Sequence, residues 1–212
     1  AQIPQQDGVT IGFAGEDAEM LDAINFLGRS LVISIFIILL ILVAQFNSIG
    51  KTLIIMTEVV FSVIGVLLGM AIFNMDFVVI MMGVGIVALA GIVVRNGILL
   101  VEFTDKLRHD GMEVREAIIE AGRIRMTPVL LTATAAILGL LPLAIGFNID
   151  FASLLSTGDP KIFLGGDSVA FWGPLSWTII FGLGFATFIT LVILPAMYLV
   201  GHNVKYWWAE KF

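Results

Sequence analysis

A single arginine, Arg95, stands inside a long apolar stretch of the sequence, seven residues before Glu102. At about 1.5 Å of helix rise per residue, it lies roughly 12 Å before Phe103, where the apolar stretch ends. A charge inside a membrane span costs about 2.5–3.5 kcal/mol even on the lenient insertion scale, and such residues usually face a partner or a wet cavity. We therefore expect Arg95 to hold an acidic group rather than to extend toward the lipid headgroups.

The acid that pairs with Arg95 is not evident from the sequence. Glu102 follows about two helical turns later, on the same face but beyond direct contact. Glu58, near the end of another apolar stretch, is a second possibility. Because no Asp or Glu stands in the middle of an apolar stretch, we expect the counter-charge to lie outside this sequence.

Neutral polar residues accompany Arg95 at a similar depth. Asn96 is its neighbour, and Thr132 follows Pro128 by four residues, about 6 Å into its own apolar stretch. A hydroxyl at that depth holds water or bonds to another helix. The alternative, which the sequence supports equally, is that the Thr132 hydroxyl bonds to the preceding turn of its own helix.

Composition places these residues in a membrane. Of the 212 residues, 59% are hydrophobic and 13% are charged, and the mean hydropathy is +1.05. Soluble domains are about 45–50% apolar and about 25% charged, so a soluble globule of this size cannot bury so much apolar surface. The absence of cysteine and the net charge of −6 exclude a disulfide scaffold and argue against a nucleic-acid binder.

Five apolar stretches have the length of about 20 residues that a helix needs to cross a bilayer. None shows the alternation of a transmembrane β-barrel strand. Pro128 suits the first turn of a helix, where its missing N–H costs little. The sequence predicts an all-α membrane protein whose transmembrane domain covers 27–200, with spans over 27–46, 53–73, 77–103, 128–145 and 175–200.

Lysine and arginine give the orientation. They follow the first span at Lys51, fill the region between the third and fourth spans, and return after the fifth at Lys205 and Lys211. The loop on the opposite side, 146–174, carries Lys161 alone. The positive-inside rule therefore predicts a periplasmic loop at 146–174 and a cytoplasmic tail at 201–212, with the N-terminal segment periplasmic.

Two polar segments flank the spans. Residues 105–126 have the pattern of an amphipathic helix on the cytoplasmic face. Val9–Phe13 alternates like one strand, and a short polar helix follows it. Because a single strand has no partner here, we expect residues 1–26 to be the remnant, or last part, of a periplasmic domain in a longer polypeptide.

Metal ligation is not favoured by the sequence. The nine methionines are scattered, and His109 and His202 lie in polar flanks. Methionine is mainly a flexible packing residue. We predict no metal site, no cofactor and no catalytic residue.

Three segments carry a family resemblance. The stretch from Arg95 to Phe103 resembles the signature span of the resistance-nodulation-division (RND) transporters, as do Arg125–Thr132 and Leu138–Leu143. The resemblance covers nearly the whole chain and corresponds to the last five of twelve spans. It is nearest to the hydrophobe/amphiphile efflux branch, with a last loop and helix like those of Bacteroidetes pumps.

This resemblance implies a proton-driven multidrug efflux pump in the inner membrane of a Gram-negative bacterium, able to confer antibiotic resistance. Such a pump is a secondary active transporter and not an enzyme. Its partners would be the first seven spans and the periplasmic domains of the same transporter, two further copies in a homotrimer, a periplasmic adaptor, an outer-membrane channel and the bilayer. Nucleic acid is not among them.

The resemblance also implies site residues. In the family, protons pass through two aspartates, a basic residue and a threonine. Arg95 stands at the basic position with Asn96 beside it, Thr132 at the threonine position, and Arg125 on the cytoplasmic proton path. The family's usual basic residue is lysine. Arginine stays protonated at accessible pH, so Arg95 would reorient and pair while the aspartates titrate.

Two alternatives stay open. An RND-type heavy-metal or lipid/protein-export transporter shares the superfamily, and a metal pump should carry methionine pairs or acids on one stripe. A non-transporting scaffold subunit is a different class. It would have no reason to place Arg95 and Thr132 at matching depth.

Overall fold

The computed structural model describes residues 16–150, 155–156, 158–159 and 161–211, with side chains between 18 and 203. The strand predicted at Val9–Phe13 lies outside the described residues. The elements in chain order are α1 Glu16–Phe46, α2 Ile49–Ile72, α3 Val79–His109, α4 Val114–Ile145, β1 Phe147–Ile149, β2 Ile162–Leu164 and α5 Asp167–Lys211.

Five helices within the described ranges are long and apolar enough to span a membrane. This confirms the predicted fold class. A small antiparallel hairpin, in which Phe147 pairs with Leu164, joins α4 to α5.

The helix boundaries differ from those predicted. Residues 105–126 do not form a separate helix. Instead, α3 continues to His109, and α4 begins at Val114. The break lies at Gly111, whose φ of 98° favours glycine and ends the helix. Pro128 therefore lies inside α4 rather than at its start, since membrane helices tolerate an interior proline whose freed carbonyl finds another partner.

The last helix is also longer than predicted. α5 begins at Asp167, includes Pro174, and continues into the segment predicted as a tail. Gly146, with a φ of 72°, ends α4, and its carbonyl accepts a hydrogen bond of 2.9 Å from the backbone N–H of Gly165. The indole N–H of Trp177 donates to the carbonyl of Ala144 at 3.0 Å, which ties α5 to the end of α4.

Small residues let α5 pack closely against α2 and α3. A Cβ at Gly65 or Gly69 would overlap the rings of Phe185 or Phe181, and a Cβ at Gly182 would overlap Leu89. Close approach through glycine is how membrane helices gain van der Waals contact in the absence of a hydrophobic driving force between them. α5 is thus the helix against which α2, α3 and α4 are positioned.

Candidate functional site: a polar groove between α3 and α4

A groove of about 380 Å³ opens between α3 and α4, with Leu183 of α5 at its floor. Its polar side chains are Arg95 and Asn96 from α3 and Thr132 from α4. The apolar and small lining residues are Ala88, Gly91, Ile92, Ala133, Ala136 and Leu183. The structure therefore brings three of the four predicted site residues to one place.

The helical repeat explains this grouping. Ala88, Gly91, Ile92 and Arg95 are separated by three or four residues, so they share one face of α3. The facing surface of α4 carries two alanines, Ala133 and Ala136, after Thr132. Because these residues are small, the two helices leave open space around the arginine.

Arg95 is exposed in this groove and makes no ion pair or side-chain hydrogen bond with another described residue. The ion pairs found within the described ranges join Lys51 to Asp105 and Arg123 to Glu120. Neither Glu58 nor Glu102, the two acids considered from sequence, pairs with Arg95. Its charge is therefore not neutralised by the described part of the chain.

The two neutral residues differ in their bonding. Thr132 donates its hydroxyl to the carbonyl of Val129 at 3.0 Å, in the preceding turn of its own helix. Its oxygen keeps acceptor capacity for water or another donor. Asn96 is 4% exposed, and its amide has no hydrogen-bond partner among the side and main chains that the structure describes.

Arg125 stands apart from the groove. Its guanidinium carbon lies 4.6 Å from the centre of the Phe103 ring, a cation–π contact between α4 and α3. Its Nε is buried and has no hydrogen-bond partner in the described part of the chain. The structure thus separates Arg125 from the three residues that line the groove.

A polar cluster at the far end of α3 was not found from sequence. Asp105 accepts a salt bridge of 2.6 Å from Lys51 and a hydrogen bond from Tyr198. Arg108 donates to Tyr198 and to Nε2 of His202, each at 3.2 Å. These partners are 54 to 94 residues apart in sequence, so no local pattern indicated them.

Glu58 was considered from sequence only as a partner for Arg95. It is 1% exposed, and neither carboxyl oxygen has a hydrogen-bond partner among the described residues. The available signal was an acid within the apolar sequence of α2.

Residues 1–202 match the AcrB/AcrD/AcrF family. The chain belongs to this family. It is 34% identical to the swarming motility protein SwrC of Bacillus subtilis (strain 168), over 93% of this chain and 17% of SwrC. It is 36% identical to the multidrug resistance protein MdtC of Erwinia tasmaniensis, over 64% of this chain and 12% of MdtC.

A solved structure has the same fold. The crystal structure of a heavy metal efflux pump superposes with a TM-score of 0.69 at 27% identity, covering 89% of this chain and 17% of the pump. The chain is therefore a multi-pass membrane segment of the RND efflux transporter type, and not an enzyme. It spans about 17% of the length of SwrC and of the solved pump.

Proposed function

We propose that this chain is part of a proton-driven pump that exports amphiphilic organic compounds in exchange for protons. The observation that carries the proposal is Arg95, exposed in a groove beside Asn96 and Thr132 without an acidic partner in the described part of the chain. A fixed cation favours the ionised form of a carboxylate within about 4–6 Å. Protonation of that carboxylate removes the attraction, and the change in pairing couples proton uptake to movement.

Each site residue has a separate role in this proposal. Arg95 is the permanent charge, because arginine does not deprotonate in proteins. Asn96 and Thr132 offer an amide and a hydroxyl that order water between the arginine and the carboxylate. Arg125, held against Phe103, contributes a positive charge to the cytoplasmic proton path.

The partners are proposals as well. The relatives are several times longer than this chain, which supports action together with seven further spans and periplasmic domains. By family resemblance we propose a homotrimer in the inner membrane of a Gram-negative bacterium, joined to a periplasmic adaptor and an outer-membrane channel. The N-terminal segment and 146–174 would face the periplasm, and the C-terminus the cytoplasm.

Organic amphiphiles are the favoured cargo. Similarity to a multidrug resistance protein supports this choice. A heavy-metal cargo is the second candidate, favoured by the fold shared with a heavy metal efflux pump.

Accumulation assays in cells distinguish the two cargoes. A strain without its own pumps would carry the full-length transporter that contains this chain, with Arg95→Ala as the control for lost coupling. We expect the wild type to lower accumulation of lipophilic dyes and to leave tolerance to copper, silver and zinc unchanged. Metal tolerance that rises without any change in dye accumulation would contradict the organic cargo and favour the second candidate.

A further inference from the structure

Glu58 is buried against residues of this same chain. It lies about 14 Å along α2 from Ile49, and it is 1% exposed. Helices α3 and α5 of the same chain lie against its carboxyl group, through Gly97 and Thr190. Residues elsewhere in the transporter therefore reach this carboxyl group only if those helices separate.

A glycine on α3 makes the space for the carboxyl group. A Cβ at Gly97 would lie 2.5 Å from Oε2 of Glu58 and 3.0 Å from its carboxyl carbon. Gly97 is itself buried, two residues after Arg95. Because two residues rotate a helix by about 200°, Gly97 and Arg95 lie on opposite faces of α3. Glu58 thus sits behind the groove, on the other side of the helix that carries the arginine.

Among the residues that the structure describes, no charged side chain pairs with the Glu58 carboxyl group. On α2, Lys51 is paired with Asp105 of α3. On α3, Arg95 lines the groove, and Arg108 bonds to Tyr198 and His202 of α5. The hydroxyl of Thr190, on α5, lies beside the Glu58 carboxyl but outside hydrogen-bond geometry.

We propose that Glu58 is a proton-binding residue of the transporter, neutral while α2 packs on Gly97 and ionised when that contact opens. A buried charge without a partner is so costly that such a group takes up a proton instead. When α2 moves away from α3, water enters, and the proton passes from the carboxylic acid to that water. The reverse movement requires a proton to return to the carboxylate. The packing of α2 on α3 is thereby linked to one proton.

This inference rests on the proposed function and adds a second protonation site to it. The site differs from the groove because its acid lies within this chain and needs no counter-charge. Movement of α2 relative to α3 on one face is then linked to the pairing of Arg95 on the opposite face, through the shared helix α3.

Infrared spectroscopy of the full-length transporter in lipid vesicles tests the protonation directly. We expect the carbonyl band of a protonated carboxylic acid at neutral pH in the wild type. The band should be lost in Glu58→Gln and kept in Glu116→Gln, which removes an exposed acid of α4. Gly97→Ala keeps the acid, but the added methyl group overlaps the Glu58 carboxyl group and pushes α2 away from α3, so the band should be weaker at neutral pH than in the wild type.

Dye efflux measured across a pH series tests the role in transport. Glu58→Gln should change the pH profile of efflux from that of the wild type, because one of the two proposed protonation sites is lost, while Glu116→Gln keeps the wild-type profile. Absence of the Glu58 carbonyl band at neutral pH from a wild type that still exports dye, or a wild-type pH profile in Glu58→Gln, would overturn the inference. Should Glu58→Gln not accumulate in the membrane, the carbonyl band is compared between the wild type and Gly97→Ala, and equal bands at neutral pH would contradict the inference. Absence of dye efflux from the wild type would contradict the proposed function instead.

Discussion

The hydroxyl of Tyr198 donates a hydrogen bond of 2.5 Å to Oδ1 of Asp105 and so joins α5 to the end of α3. Lys51, at the start of α2, binds the other oxygen of the same carboxylate at 2.6 Å. One acid thus holds three helices at the same end of the bundle. Both bonds have the short lengths of charge-assisted contacts.

We expect Asp105→Asn to destabilise the protein more than loss of a surface ion pair. The variant weakens two contacts to a half-buried charge, and hydrogen bonds to charged groups contribute about 1.5–3 kcal/mol each. The control is Glu120→Gln, whose partner Arg123 is 80% exposed at 3.9 Å and should contribute about 0–1 kcal/mol. Unfolding of the detergent-solubilised transporter gives the change in the free energy of unfolding for both variants. A larger decrease in Glu120→Gln than in Asp105→Asn would contradict the role of Asp105 in joining three helices.

Gly69→Ala should also lower stability, through packing rather than charge. The added methyl group overlaps the Phe181 ring, and overpacking of this kind costs about 1–3 kcal/mol. Gly50→Ala, in the same helix, places its methyl group in open space and should be neutral or slightly stabilising. The melting temperatures of the two variants test this prediction. Equal melting temperatures would mean that α5 moves to accommodate the methyl group added at Gly69.

The sequence predicted the spans well because apolar length is a property of the chain itself. It misplaced helix ends at Pro128 and Pro174, because an interior proline is tolerated in a membrane helix. The glycines that do end helices, Gly111 and Gly146, are identified by positive φ, which depends on the backbone fold.

The candidate site likewise has features that the sequence predicts and features that depend on the fold. Arg95 and Thr132 were selected by their depth, and the structure places them in one groove. The surroundings of Glu58 were not predictable, because they depend on how α3 and α5 rotate to bring Gly97 and Thr190 against it. Composition and periodicity do not fix that rotation.

A third prediction concerns membrane topology. It is tested by cysteine labelling, because the chain has no native cysteine. Ser156→Cys in the predicted periplasmic loop should react with an impermeant thiol reagent added outside the inner membrane. His109→Cys, at the exposed end of α3, should react only after the membrane is opened. The reasoning is the bias of lysine and arginine toward the His109 side. The opposite labelling pattern would reverse the orientation.

The arginine of the groove makes the last prediction. Arg95→Ala should reduce proton-driven dye efflux to the level of cells without the transporter, because the carboxylate of the other half loses its fixed counter-charge. Arg95→Lys restores a positive charge of different shape and should keep part of the activity. Thr132→Ala should impair efflux less, since ordered water replaces a hydroxyl at a cost of about 0–2 kcal/mol.

Arg123→Ala, an exposed arginine of α4 outside the groove, is the matched control and should transport like the wild type. Efflux rates are compared at equal membrane levels, and wild-type efflux by Arg95→Ala would show that this charge plays no part in coupling.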